Sequence, residues 1–185
     1  MEENKKRHLS SDSIYLDGRV RKIIQDPKRI VKQYVKEGMK VLDIGCGPGF
    51  FSFEMAKMVG PDGKVVAADI QQEMLDKLKD KISGLEIEKR IKIHKCKKNN
   101  IDLNEKFDFV LAFYVAHEVE NINGFFKNLF RLIKPGKNLL IAEPVFHVSK
   151  NDFEEILEKA EEIGFKIIKR PKGFLSRFAL LRKDL

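Results

Sequence analysis

The sequence predicts an α/β fold, a mostly parallel sheet with helices against its faces. Three observations predict it. From Met39 onward, short apolar runs alternate with amphipathic stretches of helical period. The longest run, Phe107–Val115, is apolar nearly throughout, as a strand buried on both faces must be. Gly and Pro cluster between these segments, at Gly60-Pro61-Asp62-Gly63 and at Pro135-Gly136, where turns are needed.

The elements follow in order. Asp26-Pro27 reads as an N-cap followed by proline at the first helical position. Ile30, Val31, Tyr34 and Val35 share one face of that helix, which is expected to run to Gly38. Lys40–Ile44 is a short strand that runs into glycines. The helix after it carries Phe51, Met55, Met58 and Val59 and stops at Gly60. Val65–Ala68 is a second strand, and Gln71–Ile82 a helix with Met74, Leu75, Leu78 and Ile82 inward. Ile91 and Ile93 mark a third strand, Phe107–Val115 a fourth. Asn121–Ile133 is the clearest helix, with Ile122, Phe125, Phe126, Leu129, Phe130 and Ile133 on one face; Pro135-Gly136 is expected to end it. Leu139–Ala142 is a fifth strand. Ser149-Lys150-Asn151-Asp152 has the form of a capping box for a helix that Gly164 closes. Phe165–Lys169 and Phe178–Arg182 follow with no helix between them, so they should be antiparallel.

Composition limits the function classes. The 185 residues are 43% hydrophobic and 35% charged, which excludes a disordered or collagen-like chain. No apolar run approaches the ~20 residues needed to cross a bilayer, and the opening MEENKKRHLSSDS does not read as a signal peptide. Cys46 and Cys96 make no disulfide framework, and no Cys/His cluster has metal spacing, so no metal site is expected. A cytoplasmic chain with no membrane partner, a monomer or small homo-oligomer, is the resulting expectation. The net charge of +8 is uneven: residues 89–98 hold six basic side chains and no acid, and residues 166–185 hold seven against Asp184. Such runs can follow nucleic acid, or they can guard exposed strand edges.

In an open α/β sheet, ligands bind beyond the carboxyl ends of the strands. Those ends are Gly45–Gly49, Asp69, Cys96–Asn99, Phe113–His117 and Glu143–His147. The first strand reads Val41-Leu42-Asp43-Ile44 and opens into Gly45-Cys46-Gly47-Pro48-Gly49-Phe50. Glycines let a ligand press on bare backbone, and the helix that follows favours negative charge, so a nucleotide-like ligand is expected. A dinucleotide fingerprint, G-x-G-x-x-G, would need glycine where Phe50 stands; a phosphate loop would need lysine after Gly49. Asp69 ends the second strand 24 residues past Gly45, where a carboxylate can accept both hydroxyls of a ribose.

On these residues the sequence resembles the class I S-adenosylmethionine-dependent methyltransferases, over about residues 26–185. Asp43, Gly45, Gly47 and Gly49 match the family's acidic-x-G-x-G-x-G motif, and Asp69 its second acidic position. Phe107-Asp108-Phe109-Val110 with His117-Glu118-Val119, and Leu132-Ile133-Lys134-Pro135-Gly136, match its later segments. The resemblance implies a Rossmann-like three-layer sandwich whose seven-stranded sheet has the order 3-2-1-4-5-7-6, with strand 7 antiparallel. It implies S-adenosylmethionine as cofactor, S-adenosylhomocysteine as product, and methyl transfer as activity. Cofactor contacts are expected at Asp43, Gly45, Cys46, Gly47, Gly49, Phe50, Asp69, Ile70, Lys98, Asn99 and Phe113. Lys97 stands where the family often has an acid facing adenine, which leaves that contact to backbone amides or Asn99.

Methyl transfer rests largely on alignment and exclusion of water, and needs a base only when the acceptor must lose a proton early. The candidates are His117 and Tyr114, with His147 a second histidine near the acceptor. Ala112-Phe113-Tyr114-Val115 is not the [DNS]-P-P-[YFW] of enzymes that methylate planar nitrogens. The acceptor is expected to be a small molecule. An RNA methyltransferase using the basic runs, a non-catalytic cofactor-binding module and a nicotinamide-dependent oxidoreductase stay as alternatives, the last opposed by the glycine spacing. Residues 1–38 are expected to form an N-terminal helical segment and lid, and residues 39–185 the S-adenosylmethionine-binding domain.

Overall fold

The computed structural model describes residues 26–184. In chain order it places α1 (Pro27–Val31), β1 (Lys40–Ile44), α2 (Phe50–Met58), β2 (Lys64–Asp69), α3 (Gln72–Ile82), β3 (Ile91–Lys95), β4 (Phe107–Phe113), α4 (Ile122–Leu132), β5 (Ile133–Pro144), α5 (Lys150–Ile163), β6 (Phe165–Lys169) and β7 (Ser176–Lys183). The sheet order is β3-β2-β1-β4-β5-β7-β6, as the resemblance implies. β7 runs antiparallel to both of its neighbours and the other pairs are parallel.

Alternation along the strands sorts the core into two layers. Val41, Val65, Phe109, Leu111 and Leu140 face one side with residues of α1, α2 and α3. Leu42, Val66, Val110, Leu139 and Ile141 face the other with α4 and α5. A strand buried on both faces has no polar alternation, which is why β4 is apolar at nearly every position. Strand order reverses between β1 and β4, and the crevice opens there.

Several boundaries differ from the sequence reading. α1 ends at Val31, not near Gly38; Tyr34 instead stacks on Phe109 at 5.5 Å, and Val35 is buried in the same layer. Val31, Tyr34 and Val35 thus pack in that layer, while most of the expected N-terminal lid, residues 1–25, lies outside the described residues. β4 ends at Phe113, because Tyr114 turns into the left-handed region at φ 62°. α4 stops at Leu132, before Pro135-Gly136, which lies within β5 at a break in the β4–β5 register. The capping box is formed: Ser149 accepts from the Asp152 amide and Asp152 from the Ser149 amide, both at 3.1 Å. Gly164 closes α5 in the left-handed region.

Candidate active site

A cavity of 290 Å³ lies at the carboxyl ends of β1, β2 and β4. Its floor is the turn from β1 into α2. The amides of Gly45 and Cys46 both donate to the Ala68 carbonyl, at 2.8 and 3.1 Å, which ties the turn to β2. Gly47 sits at φ 52°, and a Cβ there would meet no atom within 4 Å: it would project into open space a ligand can use. Gly49 differs. At φ 80° it caps α2, and its Cβ would come within 2.2 Å of Leu78 Cδ1, so it is needed for the contact between α2 and α3. It is not among the residues lining the cavity.

Two carboxylates organise this floor. Asp43 is buried and its Oδ2 accepts the Ser52 hydroxyl at 2.5 Å, bracing the start of α2. Burial pushes its carboxyl up to about 7. Asp69, also buried, accepts the Gly47 amide on Oδ2 and the Gln71 amide on Oδ1, each at 2.8 Å. A carboxylate has about four acceptor positions, so each oxygen keeps one for a ligand hydroxyl. An open Gly47 beside an acceptor pair fits a nucleoside with a vicinal diol. Ile70, half exposed, offers an apolar face next to Asp69. Lys98 and Asn99 form the far wall; Lys98 pairs with Glu120 at 2.8 Å and Lys97 with Asp102 at 2.8 Å. The Cys46 thiol is buried and donates to the Gly47 carbonyl at 3.4 Å. Burial pushes it well above the ordinary thiol range, so it is no nucleophile.

The other wall is aromatic and acid–base. Phe51, Phe113 and Tyr114 stand in a row, with ring centroids 4.4 and 4.2 Å apart. The Tyr114 hydroxyl is held by Ser176 Oγ of β7 at 2.6 Å. His117 rises from a single 3₁₀ turn, Ala116–Glu118, and lines the cavity. Its Nδ1 is hydrogen-bonded to Oε2 of Glu143, which is fully buried at the end of β5. Oε1 of the same carboxylate accepts the Ala116 amide at 2.9 Å. One side chain thus fixes both the turn and the ring. An Nδ1–H directed at a carboxylate leaves Nε2 as the basic nitrogen. The same hydrogen bond holds the His117 pKa above the ordinary imidazole value.

Residues 35–172 match the family model described as "Methyltransferase domain". The chain belongs to the methyltransferase-domain family. The ubiquinone/menaquinone biosynthesis C-methyltransferase UbiE of Haemophilus ducreyi is 30% identical over 142 residues, covering 76% of this chain and 53% of that protein. The ribosomal protein L11 methyltransferase of Dictyoglomus turgidum is 31% identical over 140 residues, covering 75% and 42%. The chain spans about half the length of the curated relatives it matches. A SAM-dependent methyltransferase from Aquifex aeolicus superposes with a TM-score of 0.75 at 29% identity, covering 86% of this chain and 92% of that one. S-adenosylmethionine is accordingly the cofactor of this methyltransferase, a class I member by its sheet order.

Within the methyltransferase site, most residues expected from the sequence gather on one cavity: Asp43, Gly45, Cys46, Gly47, Phe50 and Asp69 on the floor, Ile70, Lys98 and Asn99 on one wall, Phe113, Tyr114 and His117 on the other. Gly49 serves helix packing instead, and His147 is exposed in the turn beyond β5, away from the lining. Ser176 is a residue that sequence reasoning missed, and Glu143 was placed at a strand end but given no role. Glu143 did carry a signal, a carboxylate directly after the apolar run Leu139–Ala142, where an acid is costly unless partnered. Nothing in the sequence named its partner.

Proposed function

We propose that this chain transfers the methyl group of S-adenosylmethionine to a small-molecule acceptor carrying an ionisable hydroxyl, bound against Tyr114 and His117. The observation that carries this is the His117–Glu143 pair lining the same cavity as the glycine turn. A positioned base has a use in methyl transfer only when the acceptor must lose a proton. Gly47 leaves room for the cofactor, Asp69 receives its ribose hydroxyls, and Asp43 acts through Ser52 on the turn. Bound S-adenosylmethionine supplies a methyl group on a cationic sulfur. His117 Nε2 takes the hydroxyl proton, Glu143 stabilises the imidazolium, and the proton passes to solvent after transfer. Phe113 and Tyr114 exclude water from the line of attack.

A phenolic ring suits the aromatic wall and the base together, and the Haemophilus relative is named for quinone biosynthesis. The basic runs do not favour RNA. They lie at opposite edges of the sheet, and many of their charges are answered in place: Lys92 by Glu105, Lys97 by Asp102, Lys98 by Glu120, and Arg170 by a two-bond fork to Glu154 at 2.9 and 2.7 Å. Neither run offers the continuous row of unpaired charges that a nucleic-acid backbone would follow.

Calorimetry tests the cofactor half. S-adenosylhomocysteine should bind and NAD should not; heat from NAD alone would reverse the reading. Incubation with labelled S-adenosylmethionine and a series of hydroxylated aromatics tests the acceptor half, and label appearing only in RNA would replace it.

A further inference from the structure

The two most exposed large apolar side chains among the described residues are Phe174, 87% exposed, and Phe146, 78% exposed. They lie far apart in sequence and close in the fold. The β5–β7 ladder pairs Glu143 with Arg177 and Pro144 with Ser176. Phe146 lies in the turn just past that ladder, next to Val145, and Phe174 lies next to Leu175, across from it. Two bonds hold the segments together beyond the ladder: the Val145 amide donates to the Leu175 carbonyl at 3.2 Å, and Arg177 Nε donates to the Val148 carbonyl at 3.3 Å. Gly173 packs so closely on the Phe178 ring that a Cβ would come within 2.3 Å, so the tip bearing Phe174 is pinned from beneath. The Tyr114 hydroxyl, bonded to Ser176, places this tip beside the aromatic wall of the cavity.

The unpaired charge near the tip is basic. Residues 144–151 and 171–176 contain no acid, while Lys150 and Lys172 are exposed there. The nearby acids are engaged, Glu154 with Arg170 and Asp152 in the cap of α5. Neighbouring aromatic tips flanked by Lys150 and Lys172 match an anionic lipid surface, where rings enter the acyl boundary and lysines meet headgroups.

We propose that Phe146 and Phe174 dock this methyltransferase on an anionic bilayer, with the acceptor wall next to the lipid, so that a lipid-dissolved acceptor can reach the cavity. The proposal departs from the sequence expectation of no membrane partner. No described helix is long and apolar enough to cross a bilayer, and docking needs none. The inference shares with the proposed function only the position of the acceptor wall.

Co-sedimentation of the full chain with phosphatidylcholine/phosphatidylglycerol vesicles tests it without turnover. The chain should bind these vesicles, bind phosphatidylcholine alone weakly, and release with salt. Phe146→Ser with Phe174→Ser should lower vesicle affinity by about tenfold or more, while S-adenosylhomocysteine affinity and melting temperature hold. Absence of sedimentation, equal sedimentation of the double variant, or a dimer in sedimentation velocity that the double variant abolishes would each overturn the proposal. The last would assign the patch to a second copy of this chain. Loss of cofactor binding in the parent would instead count against the proposed function.

Discussion

The cofactor half and the acceptor half of the crevice are built by different means. On the cofactor side the parts are backbone amides, glycines and two carboxylates, joined over short spans: 2 residues from Asp69 to Gln71, 9 from Asp43 to Ser52, 22 from Gly47 to Asp69. On the acceptor side the parts are side chains joined across the sheet, 26 residues from His117 to Glu143 and 62 from Tyr114 to Ser176. The first kind of site is written in a motif. The second exists only once strands from distant parts of the chain lie side by side. A turn that grips one cofactor can therefore stay fixed while the opposite wall changes with the acceptor.

If the halves are separable, substitutions should divide them, and the largest effect belongs to His117. His117→Ala should lower methyl transfer by about 10²–10⁴-fold, the usual contribution of a positioned base. Its S-adenosylhomocysteine affinity, read by calorimetry, should stay near that of the parent. A parallel loss of cofactor binding would merge the two halves.

Glu143→Gln sharpens the same side. The amide oxygen can still accept from Ala116, but the amide nitrogen then donates to Nδ1 and moves the ring proton to Nε2, the wrong tautomer for a base. Turnover should fall by about 10²-fold. The pH profile gives the more telling readout. Glu143 raises the His117 pKa, so the pair adds stability that is whole below the ordinary imidazole value of 6.5 and is lost as pH rises through the raised value. Activity runs the other way, because the base must be neutral. The alkaline-rising limb of the parent should therefore lie above that of Glu143→Gln, whose limb moves to lower pH. An unmoved limb would mean that His117 does not set it.

On the cofactor side, Asp69→Ala should weaken S-adenosylhomocysteine binding by roughly ten- to a hundredfold, the loss of about 1.5–3 kcal/mol for a charged acceptor. It should leave the pH profile of bound enzyme in place.

The smallest contrast lies within the glycine turn. Gly47→Ala and Gly49→Ala both force a side chain into the left-handed region, at about 1–2 kcal/mol each. Gly47→Ala puts its methyl into the cavity and should show mainly as lost cofactor affinity. Gly49→Ala drives its methyl into Leu78 and should lose about 1–3 kcal/mol more stability in denaturant unfolding. Equal melts for the two variants would erase the distinction drawn between them.

The same division explains what could be read in advance. The glycine turn and Asp69 are local patterns that a motif carries, and the strand order came with the family those motifs resemble. The end of α1 was not legible, because Tyr34 leaves the helix for Phe109, a partner 75 residues on. The end of β4 was not legible either: nothing in Phe113-Tyr114-Val115 announces a positive φ at a tyrosine, which the Ser176 bond and ring stacking hold in place. His117 was found as a type of residue in a promising place. Its role depends on Glu143, and only the parallel pairing of β4 with β5 brings them together.

The bond between Tyr114 and Ser176 bears on the order in which the molecule matures. β7 follows every other strand in the chain yet inserts between β5 and β6. The strands that carry the cofactor turn can associate early, through contacts that close small loops. The acceptor wall is completed only by the last strand, which brings Ser176 to the Tyr114 hydroxyl, and closing so long a loop is slow. A chain caught midway would grip its cofactor before it could choose what to methylate.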